Sequence, residues 1–337
     1  MSVRSKSLSA SATLAIAVAT IAWAGSAFAA DMPVKEKKPP PPPEAPFFLV
    51  NQNSLSYSYA FTANNPGAGT TPKNILSFTH FDVWAYGTNF FNVDWLKATN
   101  GAAPPNGAPA APCDFNGTSV CSGYTEIYGL FRSTFGWNQI FNTKAFAVGP
   151  MTNVEFVVGS DLNTDNTTLG SAKRSIQGGL QFDFATPYKG FVNVSFNAYK
   201  EWQNDGFAAQ GVGNGLNLSG KVDFDPTWAI EALYVQPLAF QPLPLTFKSF
   251  AVIHGPKGCG EPCGPVGPGL KRTTEYLTQQ TLLLDVGKLA WGKPDQFAVW
   301  TAYRWWKNKF GIDPNQPGFS FPFTVESTWL TGATWTF

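Results

Sequence analysis

The chain has 337 residues, 44% hydrophobic and 15% aromatic, with 23 basic side chains against 22 acidic ones. Such a balance, with no basic stripe and no acidic block, speaks against a nucleic-acid partner and against a cation store. Beyond residue 30 no run reaches the roughly 20 uninterrupted apolar residues of a membrane helix. Mean hydropathy is nevertheless only −0.10, the mixture expected where half of every strand is polar.

Residues 1–29 read as a secretory signal peptide. Arg4 and Lys6 form a basic start, residues 12–24 an apolar run, and Ala27-Phe28-Ala29 a small-residue cleavage pattern that leaves Ala30 as the mature start. Residues 30–49 read as a periplasmic tether, with Pro39 to Pro43 favouring extended polyproline and nothing to bury.

From residue 50 to 337 the pattern is strand and turn. Leu55, Tyr57, Tyr59 and Phe61 alternate with Ser54, Ser56 and Ser58, and Phe91, Val93 and Trp95 with Asn92 and Asp94. Further on, Val192, Val194, Phe196 and Ala198 alternate with Asn193, Ser195, Asn197, Tyr199 and Glu201. The last stretch places Val325, Trp329, Ala333, Trp335 and Phe337 on one face. A period of two with aromatics near both ends separates lipid from a polar lumen. About twelve such stretches are present, and their connections alternate between short ones (85–88, 136–144, 186–190, 236–244, 289–295) and long ones (98–123, 162–173, 204–219, 255–272, 310–322). The fold class is therefore all-β: a closed transmembrane antiparallel β-barrel of twelve strands, with short periplasmic turns and long outside loops. A soluble sandwich would bury one face and leave few charges in register on the other. The terminal Phe337 is a feature that barrel-assembly machinery reads, which makes that machinery and outer-membrane lipid the expected partners.

Cys113 and Cys121 flank one outside-loop segment, and Cys259 and Cys263 another. In an exported chain two short-range disulfides are the expected state. A four-cysteine zinc site would need both loops to converge at unusual spacings, so no metal and no cofactor is expected.

Alternation aims a set of side chains inward, among them Asp82, Asp94, Glu155, Asp183, Lys221, Asp223, Lys248 and Glu326. Most of these charges are expected to pair, because buried charges are paired wherever they occur. The candidates for a solute path are Glu126, Tyr128, Arg132, Asn197, Tyr199, Glu201, Trp300 and Arg304. Aromatic faces stack on flat heteroaromatic solutes, while carboxylates, amides and guanidinium groups take hydroxyls and base edges. Trp306 is a further stacking candidate that its place near a strand end also suits to an interfacial girdle. His80 and His254 accompany no nucleophile motif, phosphate loop or metal-binding pair, so no enzyme activity is expected. His254, at the start of a glycine-rich loop, reads as solvated.

The order of these pieces resembles the nucleoside-specific outer-membrane channel family, the Tsx family. The resemblance rests on KNILSFTHFDVWAYGTNFFNVDWLK at 73–97, EIYGLFRSTFGWNQIF at 126–141, AVGPMTNVEFVVGSDLNTD at 147–165, GFVNVSFNAYKEWQND at 190–205 and FAVWTAYRWWKNKFGID at 297–313. The proline-rich tether and both cysteine pairs lie outside that pattern. The resemblance implies a monomeric twelve-stranded barrel with a narrow pore, through which nucleosides diffuse by way of weak aromatic and ionisable sites. The sequence thus points to a channel for small hydrophilic solutes in the bacterial outer membrane, with nucleosides as the leading cargo. The competing reading is a structural or receptor barrel with a plugged lumen and binding loops.

Overall fold

The computed structural model describes residues 47–65, 69–99, 123–165, 172–204, 221–258, 272–315 and 324–337. Its strands are β1 (Phe48–Asn65), β2 (Gly69–Trp84), β3 (Gly87–Ala98), β4 (Thr125–Gly136), β5 (Met151–Asp165), β6 (Arg174–Thr186) and β7 (Gly190–Asn204). They continue with β8 (Lys221–Asp223), β9 (Thr227–Pro237), β10 (Leu245–His254), β11 (Glu275–Asp285), β12 (Phe297–Lys307) and β13 (Glu326–Thr336). Every pairing is antiparallel, between chain neighbours except that β7 pairs with both β8 and β9, and β1 pairs with β13 from Ser54↔Thr336 to Ala60↔Leu330, which closes the sheet. Closure pairs the long strands on both sides, the condition for a sheet in lipid. All four cysteines lie outside the described residues.

Thirteen strands make twelve staves, because β8 and β9 both pair with the same side of β7. An unbroken ladder from Tyr199↔Thr227 would set Trp202 opposite Phe224, but Trp202 faces Asp223 instead. Between the two pieces lies Pro226, which has no amide hydrogen to give the ladder. A slip of one residue turns every side chain to the other face. Lys221 and Asp223, expected in the lumen, therefore face outward with Trp202, while Val222 and Phe224 are buried within.

Elsewhere the faces follow the alternation. Leu55, Phe91, Phe131, Phe156, Ile176, Phe196, Trp228, Leu282, Val299 and Trp329 are exposed on the outer surface. At the short-turn end aromatic rings crowd together, with Trp84 against Phe47, Tyr86 and Phe135, and Trp137 against Phe141, Phe146 and Phe156. A belt of this kind suits the interface between hydrocarbon and water.

Asp82 corrects a second expectation. It shares the face of Leu76 and Phe78, in an unbroken ladder with β3, and so points away from the lumen. Its carboxylate takes a hydrogen bond from Asn89 Nδ2 at 2.9 Å and lies 3.2 Å from His80 Nε2, whose other ring nitrogen meets Asn53 at 2.9 Å. These polar partners make the position tolerable on an apolar face. The charge of Asp82 suggests the lumen, whereas the register of the ladder places it on the outer side, in a polar patch beside the aromatic belt.

Candidate lumenal pathway

The inner wall is built from the alternate residues of each stave, so its chemistry follows from strand register. At mid-height Arg132 of β4 reaches Glu231 of β9, although β5, β6 and β7 lie between them on the wall. The pair is bidentate, Nε to Oε2 at 2.8 Å and Nη2 to Oε1 at 2.5 Å, while Nη1 donates to Asp161 Oδ1 at 2.9 Å. The planar fork of arginine matches two carboxylates better than an ammonium could. This bridge crosses the lumen and narrows it.

Toward the long-loop end the polar contacts gather into two networks. One centres on Glu201, 0% exposed. It accepts from Tyr199 Oη at 2.6 Å, from Lys257 Nζ at 2.7 Å and from Gln203, and Lys173 Nζ lies 3.9 Å away. The Tyr199 ring is stacked on His254 at 4.3 Å between centroids, and His254 Nδ1 is 3.4 Å from Glu275. His254 is thus buried in the network rather than solvated. Glu275 also takes hydrogen bonds from Trp306 Nε1 at 2.7 Å and the Phe310 amide at 3.1 Å, which places Trp306 inside the barrel and not in the girdle. Lys173, outside the strands, has its pKa lowered by burial but raised further by Glu201, Asp161 and Glu275, so it ends above its ordinary value.

The second network joins Lys73 to Glu126 at 2.9 Å, with Asn163 donating to the same carboxylate at 2.7 Å. Beside it Lys309 Nζ donates to Glu326 at 2.8 Å and to the Asn64 carbonyl at 2.8 Å. Burial pulls the Lys309 ammonium below its ordinary pKa, with Glu326 acting against that. Arg304 donates to Gln279 at 2.9 Å and lies 3.9 Å from Glu326. Between the networks and the bridge, Ala60, Ala63, Ile75, Leu96, Ala302 and Leu330 form an apolar cluster with Tyr128 and Trp300 packed on it. The Trp300 indole lies over Gly332, where an added Cβ would come within 2.5 Å of its ring, and donates to Thr334 at 3.1 Å. Asn197 is buried and donates to Ser195 at 2.9 Å.

The eight candidate path residues therefore all line the interior, but they do not form one site. Arg132, Tyr199 and Glu201 belong to a linked ion network, Glu126 and Arg304 to another, Tyr128 and Trp300 to the apolar cluster, and Asn197 bonds along its own strand. Sequence reading missed Lys257, Lys309 and Glu275, because they flank segments that alternation reads as outside loops. Short 3₁₀ and bridge contacts at Lys309–Gly311 and Gly258↔Arg272 turn these segments inward. The signal that could have found them is charge: lysines beside strand ends that carry inward glutamates.

The short-turn half differs. Leu233 points inward opposite Asn193 and Phe250, yet stays 39% exposed, so that half of the lumen is open to water. Two carboxylates there have amide partners: Glu155 accepts from Asn153 and Gln181, and Asp183 from Gln181. No cluster of histidine, cysteine and carboxylate side chains able to hold a metal occurs among the described residues.

No protein-family model matches the chain, and no curated protein matches it. Among solved structures it is similar to the KdgM porin in complex with disordered oligogalacturonate, at 8% identity and a TM-score of 0.38 over 84% of this chain and 99% of that one. It is also similar to the β domain of the Bordetella autotransporter BrkA, at 8% identity and a TM-score of 0.35 over 85% and 98%. A third is Pseudomonas aeruginosa OccK5, at 12% identity and a TM-score of 0.26 over 87% and 99%. At this distance the likenesses bear on neither cargo nor mechanism.

Proposed function

We propose that the protein is an outer-membrane channel through which small hydrophilic solutes diffuse, with nucleosides as the leading cargo. The observation that carries the reading is the inner wall itself: an open, water-exposed half at Leu233 leading to a polar constriction at Arg132–Glu231. A conduction path needs contacts strong enough to admit a solute and weak enough to release it. Around the constriction, Tyr128 and Trp300 offer half-buried aromatic surfaces and Arg304 a half-buried polar edge, with Glu126 and Asn197 buried in the wall behind them. Nucleosides suit that combination of ring faces and hydrogen-bonding groups, which the Tsx-like segments also suggest. In this reading residues 1–29 are removed on export, residues 30–49 tether the barrel on the periplasmic side, Phe337 engages the assembly machinery, and the cysteines pair as Cys113–Cys121 and Cys259–Cys263.

Liposome swelling tests the proposal. Parent protein should admit nucleosides faster than sugars or amino acids of similar mass. Equal rates for all three would leave a general pore.

The plugged barrel is the second reading, favoured by the complete burial of Tyr199, Glu201, Lys257 and Glu326 at the long-loop end. Absence of flux for every solute, from protein with native heat-modifiable mobility, would select it.

A further inference from the structure

The outer surface of β5–β8 has a feature that conduction does not explain. One cross-strand row reads Val158, Gly178, Ala198, Trp228. Gly178 and Ala198 put almost no side chain on the surface, so a trough lies between the flanking Val158 and Trp228. It belongs to the apolar outer wall, with Phe196 exposed beside it. Toward the long-loop end the next rows pair Ile176 with Lys200 and Arg174 with Trp202. There the trough meets a cavity of about 390 Å³ lined by Ser160, Arg174, Ile176, Trp202, Gln203 and Lys221.

Three cations stand at this upper end. Lys200 is held by Asp223 at 2.5 Å, with its ammonium 5.7 Å from the Trp202 ring. Arg174 is exposed and has no ion-pair partner among the described residues. Lys221 is exposed on the same outward face because of the slip between β8 and β9. An apolar trough that ends beneath cations and an indole is complementary to an amphiphile with an anionic, sugar-bearing head. The indole offers the face that sugars pack on, which a glycerol headgroup does not need. Guanidinium and ammonium groups at the edge of a hydrocarbon band attract phosphate.

We propose that this surface docks a phosphorylated, acylated glycolipid of the lipid A type from the leaflet on the long-loop side. One acyl chain lies along the Gly178–Ala198 trough, the phosphate meets Arg174 and Lys221, and the sugar packs on Trp202. The site rests on the long loops facing outward, but not on any solute passing through the barrel.

Binding of bis-phosphorylated lipid A to the full-length mature barrel in neutral detergent tests it. Dephosphorylated lipid A, phosphatidylglycerol and inorganic phosphate serve as separate arms. Arg174→Gln with Lys221→Gln should weaken lipid A binding by about ten- to hundredfold, the worth of one or two charge-assisted hydrogen bonds. Ala198→Trp, which fills the trough, should weaken it as well. Lys144→Gln, at the short-turn end, should leave binding unchanged. Equal binding of the dephosphorylated form, equal binding of phosphatidylglycerol, competition by inorganic phosphate at the same affinity, or an unaffected double variant would each overturn the site. Liposome swelling by the same variants keeps this separate from the channel reading. A double variant that conducts as the parent does but loses lipid A supports the site; a parent that conducts but binds no lipid A rejects the site alone.

Discussion

The rings of Tyr199 and His254 lie face to face, 4.3 Å apart and 23° from parallel, so the tyrosine face that a base would use is already covered from within the barrel. Lys173 stands 5.7 Å from the same ring. Tyr199 is therefore packed into the buried network at the long-loop end. Tyr199→Ala should raise the flux of nucleosides and sugars together, by roughly two- to fivefold, because it removes a buried ring from the narrow end. A fall confined to nucleosides, seen in vesicle uptake across a concentration series, would instead make Tyr199 a stacking site.

Trp300 is the better placed aromatic. It is inward and half-buried, and rests on a neighbouring glycine. Trp300→Ala should reduce the preference for nucleosides over sugars by about threefold to tenfold, the scale of losing one stacking partner. Gly332→Ala should push the indole into the lumen and lower single-channel conductance without changing strand content. Unchanged selectivity in the first and unchanged conductance in the second would remove Trp300 from the path.

Glu201 holds two lysines in place, Lys257 at 2.7 Å and Lys173 at 3.9 Å. Replacing it leaves the two buried cations with only the longer contacts to Asp161 and Glu275, at 3.8 and 3.9 Å, at a cost of up to about 3–5 kcal/mol. Glu201→Gln should lower the unfolding free energy in detergent by that amount, and Lys257→Met in the same chain should recover a good part of it. The comparison with Lys257→Met alone completes the cycle. Additive losses would mean that the two side chains do not act as a pair.

Charge selectivity should originate in the short-turn half. Among the described residues, Glu155 and Asp183 have no basic side chain within 4.0 Å, whereas Glu126, Asp161, Glu201 and Glu326 toward the long-loop end are paired. The channel should favour cations over anions in reversal-potential measurements under a salt gradient. Glu155→Gln with Asp183→Asn should move the reversal potential toward zero. Persistence of the full potential would shift the origin to the long-loop end.

Assembly should depend on the last residue. Phe337 exchanges backbone hydrogen bonds with Asn53, at 2.8 and 3.1 Å, at the seam where the chain's two ends meet. Deleting Phe337 should reduce the heat-modifiable fraction in membranes far more than deleting residues 35–43. Equal yields would deny the terminal aromatic a role.

The alternation of Val192, Val194, Phe196 and Ala198 with Asn193, Ser195, Asn197 and Tyr199 was enough to read strand, face and barrel, because an apolar outside and a polar inside impose a period of two on each stave. The same rule placed all eight path candidates in the interior. It could not see the slip at Pro226, which turned Lys221 and Asp223 outward, nor the side on which Asp82 falls. The choice of partner was also beyond it. Arg132 could have met any carboxylate on the wall, and only closure of β1 on β13 brings Glu231 across from it. Lys257 and Lys309 enter the lumen because their segments turn inward beyond the strand ends. Local sequence therefore determined what each stave presents to lipid and to lumen, since that depends on neighbours two residues apart. Tertiary structure alone decided which charges neutralise one another, since that depends on the distance across a closed barrel.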